Sequence, residues 1–214
     1  MTTDEILDIL EVHFPNAHCE LIHETPFQLL VAVVLSAQTT DAAVNKITPA
    51  LFEAYPDASS LAQADLKDIE EKIKRIGLYR NKAKSIKNLS ISLMEQFDGV
   101  VPSSMKELTS LQGVGRKTAN VVRSVCFDIP AIAVDTHVER ISKRLGLAKV
   151  YDSVEVVETK LKRKIKRERW NRAHHLFIFF GRYQCMARNP HCEGCGFKDF
   201  CKKEKLEAYR NQHR

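Results

Sequence analysis

Leu108-Thr-Ser-Leu-Gln-Gly-Val-Gly-Arg-Lys-Thr-Ala-Asn120 closes one predicted helix and opens another, and its reading decides the fold. Gly113 and Gly115 permit a tight turn with positive φ and let a ligand approach the backbone closely. The helix that follows offers amide N–H groups that have no partner within the helix, together with the positive end of its dipole. A phosphate suits such a place and would be held through backbone groups, so the grip is indifferent to sequence. A plain corner between two helices also yields Gly-x-Gly, so the segment needs support from the rest of the chain.

Outward from this turn the pattern is helical almost throughout. Apolar residues recur at three- and four-residue steps, Gly and Pro are few, and alternating β-type stretches are absent. The spacing predicts helices over 3–13, 26–38, from Thr40 or Asp41 to about Tyr55, then over 65–75, 80–97, 104–110 and 116–126. Beyond Pro130 it predicts helices over 136–145, 153–165 and 170–181, a cysteine loop and a short tail helix. The helix that starts at Pro26 is apolar all round and belongs at a domain centre. The expected fold is all-α.

Charge divides the chain at the same place. Residues 1–130 carry 13 Lys+Arg against 17 Asp+Glu, a balance of −4, while residues 131–214 carry 20 against 10, a balance of +10. The overall excess of +6 therefore sits in one part, a common footprint of nucleic-acid contact, although a solvated basic surface gives the same count. The run Lys160 to Arg172 (KLKRKIKRERWNR), with eight basic residues and one acid, has the same two readings: a phosphate track or a solvated face. The longest apolar run, Phe27 to Leu35, falls well short of the roughly 20 residues of a membrane helix. With no basic-then-apolar leader before it, the expectation is a cytoplasmic protein with no membrane partner.

Six cysteines in such a chain argue for thiols and against a disulfide framework. Four of them, Cys185, Cys192, Cys195 and Cys201, follow the spacing C-x6-C-x2-C-x5-C and can wrap one compact centre. Structural zinc and an iron–sulfur cluster both take four thiolates, and zinc more often uses two close pairs. Cys126 reads as a core residue; Cys19 carries no signal.

The hairpin pattern L-x-G-V-G-R-K-T-A-x-x-V is followed, eighteen residues after Lys117, by Val134-Asp-Thr-His-Val-Glu-Arg140. Together these segments resemble the helix–hairpin–helix DNA glycosylases. Leu35-Ser-Ala-Gln-Thr-Thr-Asp41, Gly77-Leu-Tyr79 and Gly181-Arg-Tyr-Gln-Cys185 extend the likeness over nearly the whole chain, and the family they resemble is endonuclease III. The resemblance implies two helical lobes with the active site in the cleft between them. One lobe, a helical barrel, would span 19–130 and hold the hairpin at about 104–126; the other would join 1–18 to 131–214 and hold the cysteine loop, 185–201. The charge break at 130 supports that partition independently. The resemblance also selects a [4Fe–4S] cluster over zinc.

The chemistry such an enzyme needs is present. Removing a base breaks the bond at the sugar C1′, where positive charge builds, and a carboxylate stabilises that charge. An unprotonated amine can attack C1′ and form a Schiff base, after which the 3′ phosphate leaves and the strand breaks. By resemblance Lys117 is the nucleophile and Asp135 the carboxylate. Arg116 and the helix N-terminus beside Lys117 disfavour a second positive charge there, whereas Asp135 works the other way. Asp135 can also cap the helix that begins at Thr136. Gln38 would pair with the orphaned base and Leu78 would wedge between neighbouring bases, as extrusion of a nucleotide requires. The bland alternatives are a helix-end cap for Gln38 and a core position for Leu78. Arg80 stands where a smaller polar residue is expected. His137 would orient Asp135 or touch a phosphate, and Arg182, Arg188, Lys198, Lys202 and Lys203 would bring the cysteine loop to DNA.

The expected function is therefore base-excision repair by a bifunctional DNA N-glycosylase and abasic-site lyase for oxidised pyrimidines, acting as a monomer on damaged double-stranded DNA. A mismatch adenine glycosylase fits less well, because those relatives typically lack a lysine at position 117 and carry a further C-terminal domain. A non-catalytic DNA-binding module would have no use for Lys117 together with Asp135.

Overall fold

The computed structural model describes residues 1–213. Thirteen α-helices and no strand occur among the described residues. None of these helices is long and apolar enough to cross a membrane. The chain divides into two compact units, one continuous (Cys19–Ile129) and one split (Met1–His18 with the chain from Pro130 onward).

The continuous unit is organised around α2 (Pro26–Leu35). Pro26 fits the first turn, where its missing N–H has no partner to lose, and Thr25 caps the helix by accepting from the Gln28 amide. Leu29, Leu30, Val31, Ala32 and Leu35 are all buried, as an all-apolar helix demands. Around it stand α3 (Asp41–Asn45), α4 (Thr48–Ala54), α5 (Ala58–Gln63), α6 (Leu66–Ile73), α7 (Tyr79–Phe97), α8 (Met105–Ser110) and α9 (Arg116–Cys126). Helices α7 and α9 pack on α2, α5 and α6 pack on α7, and α8 lies against α9 across the glycine turn.

Three expected boundaries in this unit are corrected. Helix α2 stops at Leu35 rather than Gln38, because the chain turns at Ser36–Thr39 and Gln38 takes a left-handed φ of 55°. The stretch from Thr40 to Tyr55 is two helices, α3 capped by the Thr40 hydroxyl and α4 restarted with Pro49 in its first turn. Helix α5 was not expected at all; it is one short turn and a half, fixed by a reciprocal cap between Asp57 and Ser60.

The split unit contains α1 (Thr3–His13), α10 (Thr136–Arg144), α11 (Val154–Lys164), α12 (Trp170–Phe179) and α13 (Lys203–Gln212). Thr2 and Glu5 cap α1 reciprocally, the Glu5 amide donating to the Thr2 hydroxyl and the Thr2 amide to the Glu5 carboxylate. Ile6, Leu7 and Leu10 of α1 share a buried core with Leu176, Phe177 and Phe180. Helix α1 is also pinned electrostatically. Arg169 donates to Asp4 (3.1 Å) and Asp8 (2.7 Å), and Arg172 donates to Glu11 and to the carbonyls of Phe14, Pro15 and Ala17.

Half of the basic run is thus committed to structural pairs. Besides those two arginines, Lys160 pairs with Asp152 and Lys162 with Glu158, and the Lys162 ammonium lies 5.4 Å from the Trp170 ring centroid. Arg163, Lys164, Lys166 and Arg167 remain exposed. Helix α12 also ends earlier than 181. At Phe180–Gln184 the backbone widens into a π-helical turn, in which the Cys185 amide donates to the Phe180 carbonyl at 2.6 Å.

Candidate functional site

In the continuous unit the glycine turn has the form its sequence predicts. Gly113 has a φ of +80°, a conformation that disfavours any residue with a β-carbon. A β-carbon at Gly113 or Gly115 would meet nothing within 4 Å, so the turn is open in front. Gly115 is the N-cap of α9 and supplies no side-chain cap, which leaves the first amides of a three-turn helix facing outward with the dipole behind them. Arg116 and Lys117 are the first two residues of α9 and both are exposed.

The same unit has a cavity of about 250 Å³ whose lining includes Gln38, Leu78, Lys82, Gly113 and Thr118. Gln38 and Leu78 are exposed, Leu78 to 58%, so the core reading of Leu78 fails. Nor is Gln38 a helix cap, since it lies three residues past the end of α2. Leu78 is itself the N-cap of α7, in left-handed backbone with a φ of 57°. Arg80, on the first turn of α7, folds back over the Tyr79 ring at 4.7 Å, and its Nε lies 4.0 Å from the Glu70 carboxylate. Its bulk is accommodated beside Leu78 without covering it, because Leu78 remains largely exposed.

In the split unit Asp135 is the N-cap of α10, its carboxylate accepting from the His137 amide at 2.9 Å and the Val138 amide at 2.8 Å. It is half-buried and rigidly held. His137 reaches Asp135 through its backbone N–H; its ring instead lies 3.2 Å from the Arg140 guanidinium. Burial pushes the His137 imidazole below its ordinary value, and Arg140 and Arg182 add to that against the opposing pull of Asp135. The ring-orienting role expected for His137 is therefore replaced by a backbone one.

Two buried arginines that the sequence reading passed over continue the line along α10. Arg140 donates to the Gly181 carbonyl at 2.8 Å and to the Cys185 carbonyl. Gly181 keeps that spot open: a β-carbon would sit 3.1 Å from the Arg140 and His137 side chains, close enough that they would have to shift. Arg144, only 1% exposed, donates to the Cys185 sulfur at 3.2 Å and to the Met186 carbonyl at 2.8 Å, and it pairs with Glu207 of α13. Positions 136, 140 and 144 share one helix face, and that four-residue step was the available signal for these contacts.

In the cysteine loop Arg144 contacts the Cys185 sulfur and is felt by Cys201. Cys185 is buried, Cys195 and Cys201 partly so, and Cys192 is exposed. Burial raises Cys195 and Cys201, and each also feels Cys185, so the four share one electrostatic neighbourhood. Among the described residues no three Cys, His, Asp or Glu side chains are gathered closely enough to hold a single metal ion. Thiolates around one zinc stand about 3.8 Å apart, whereas a four-iron cluster places its own atoms between its ligands. Four neighbouring thiols, two of them close to a buried guanidinium, fit an anionic thiolate-ligated cluster. Of the basic residues expected beside it, Arg188, Lys198 and Lys202 are exposed, while Arg182 and Lys203 are half-buried.

Comparison with known proteins agrees with this geometry. A model of the HhH-GPD superfamily base excision DNA repair proteins matches residues 31–167, and a model of the iron–sulfur binding domain of endonuclease III matches residues 185–201. Endonuclease III of Bacillus subtilis (strain 168) is 53% identical over 196 residues, covering 92% of this chain and 90% of that protein. Endonuclease III of Escherichia coli (strain K12) is 42% identical over 204 residues, covering 95% and 96%. The structure of a trapped endonuclease III–DNA covalent intermediate in an estranged-adenine complex superposes with a TM-score of 0.92 at 51% identity, covering 97% of this chain and 99% of that one. A thermostable thymine-DNA glycosylase shares the fold alone, with a TM-score of 0.82 at 22% identity.

An all-helical chain with the glycine hairpin and the cysteine loop is thus a base excision DNA repair protein that carries a [4Fe–4S] cluster. Within that class the chain belongs to the endonuclease III family and is a DNA glycosylase and abasic-site lyase.

Proposed function

We propose that the chain binds double-stranded DNA as a monomer, releases oxidised pyrimidines and cuts the strand 3′ to the resulting abasic site, with Lys117 as nucleophile and Asp135 as the essential carboxylate. The carrying observation is Lys117 itself, an exposed amine on the first turn of a helix whose N-cap is a bare glycine. Gly113, Gly115 and Arg116 hold a backbone phosphate in front of that helix, and Gln38 and Leu78 fill the space vacated by the extruded nucleotide.

As the base departs, the Asp135 carboxylate offsets the positive charge that builds at C1′. As the bond from C1′ to the base breaks, Lys117 Nζ, entering as the neutral amine, bonds to C1′ and passes one proton to the departing base. The bond from C1′ to the ring oxygen then breaks, that oxygen takes a proton from water, and an iminium that keeps one N–H remains. The resulting iminium draws electrons from the C2′–H bond; a base takes that proton and the C3′–O bond breaks, releasing the 3′ phosphate. Cys185, Cys192, Cys195 and Cys201 hold the [4Fe–4S] cluster, which when bound ties Arg188, Lys198 and Lys202 into a fixed loop for DNA. His137 contributes through its amide, which steadies Asp135.

Borohydride reduces the iminium to a stable amine, so the protein should become covalently joined to a lesion-bearing duplex. Lys117→Gln should abolish that adduct; trapping at full yield by this variant would remove Lys117 from the mechanism. A panel of duplexes with defined lesions tests the pyrimidine range, and sedimentation at working concentration tests the monomer.

A further inference from the structure

Gln38 and Leu78 line one cavity, and both stand in left-handed backbone, with φ of 55° and 57°. That region is disfavoured for a residue with a β-carbon, so surrounding structure must hold each turn in place. One residue joins the two turns, its backbone in the first turn of α7 and its side chain at the other. The Lys82 amide donates to the Leu78 carbonyl at 3.0 Å, and the Lys82 ammonium donates to the hydroxyl of Thr39, the neighbour of Gln38. Lys82 is only 6% exposed, and burial holds its ammonium below the usual lysine range. Taking a cation from water is costly, and methionine would fill the same space without that cost. The donor end of the side chain is therefore what needs explaining.

We infer that Lys82 is a positioning residue that fixes the Gln38 turn and the Leu78 turn at one spacing, so that the two side chains enter an opened duplex as a preformed pair. The inference rests on the reading that Gln38 and Leu78 occupy that opening. A preformed pair avoids the cost of ordering two turns while DNA binds. Lys82 touches neither the sugar nor the base in this role, so it acts on duplex opening and not on bond breaking.

The test uses the full-length, cluster-bearing protein and two substrates: a duplex with an oxidised pyrimidine, and a single strand with an abasic site, which needs no opening. Lys82→Met and Thr39→Val should each lower kcat/KM on the duplex about tenfold, the scale of one charged hydrogen bond. The double variant should be no worse than either single one. Borohydride trapping on the single strand should stay within about twofold of the unmodified protein, and Thr39→Ser, which keeps the acceptor, should restore duplex activity. A 2-aminopurine opposite the lesion should brighten less in the two impaired variants. Equal losses on both substrates, additive losses, or no loss would overturn the inference. If Gln38→Ala and Leu78→Ala lose duplex activity while Lys82→Met does not, the inference falls and the reading of those two residues stands. If neither alanine variant shows a duplex-selective loss, that reading falls and takes the inference with it.

Discussion

Replacing Asp135 separates the helix cap it forms from the electrostatic role proposed for it. Its oxygen accepts from the His137 and Val138 amides at 2.9 and 2.8 Å, so it starts α10. Asparagine caps a helix about as well as aspartate, whereas alanine loses about 1 kcal/mol, with a range of roughly 0.5 to 2. For a chain of this size that loss lowers the melting temperature by about 2–4 °C. Asp135→Ala should therefore melt a few degrees lower and exchange the His137 and Val138 amides faster, while Asp135→Asn should match the unmodified protein in both. Base release should fall in both variants by about 10²–10³-fold, the scale of losing one preorganised charge-stabilising group. On a preformed abasic site, where no base has to leave, the loss should be smaller. Base release at full rate by Asp135→Asn would refute the electrostatic role. An alanine variant with unchanged melting and amide protection would refute the cap.

Arg144→Leu strips the donor from the Met186 carbonyl and the Cys185 sulfur, while Arg140 still serves the Cys185 carbonyl; the Met186 acceptor left unsatisfied costs about 1–3 kcal/mol. Iron content and absorbance near 400 nm should both drop, and Arg144→Lys should recover only part. His175, pushed by burial and by His174, Arg172 and His18 down to about 3, resists a proton that the unfolded chain accepts near 6.5. Unfolding then takes up a proton, so stability should fall as pH drops from about 6.5 toward 3, and His175→Gln should flatten the urea midpoints between pH 6.5 and 5. Arg172→Ala should loosen the N-terminal helix and lower the melting temperature, yet leave the salt dependence of DNA affinity unchanged, because its guanidinium is committed to Glu11 and three carbonyls. A shallower salt slope in that variant would return the basic run to the DNA interface.

The hairpin, the apolar α2 and the four cysteines were legible because each imposes a strong local pattern: glycines at a turn, apolar residues all round, thiols at short spacing. Helix α9 begins and ends where its sequence says. Cations were the hard part. Lys82, Arg140 and Arg144 are buried, yet in sequence they look like Arg163 or Lys164, which face water. What distinguishes them is the partner, most often a backbone carbonyl, and every residue has one of those. Within the basic run the structural role of Arg169 and Arg172 was hidden for the same reason, since they answer to Asp4, Asp8 and Glu11, more than 150 residues away. Gln38 and Leu78 were found by resemblance, but their left-handed backbone was not, because neither residue type advertises it.

The split unit has a consequence for how the chain is made. Helix α1 leaves the ribosome well before α12, yet the surface that covers Ile6, Leu7 and Leu10 lies mainly on α12, roughly 150 residues later. At about 5–20 residues per second that is a wait of roughly 8 to 30 s. During it the continuous unit, whose own core is complete by Ile129, can fold behind a still-bare apolar stripe. Helix α1 is therefore made before the unit it completes can close, and until Arg169 and Arg172 emerge its apolar stripe is open to misassociation.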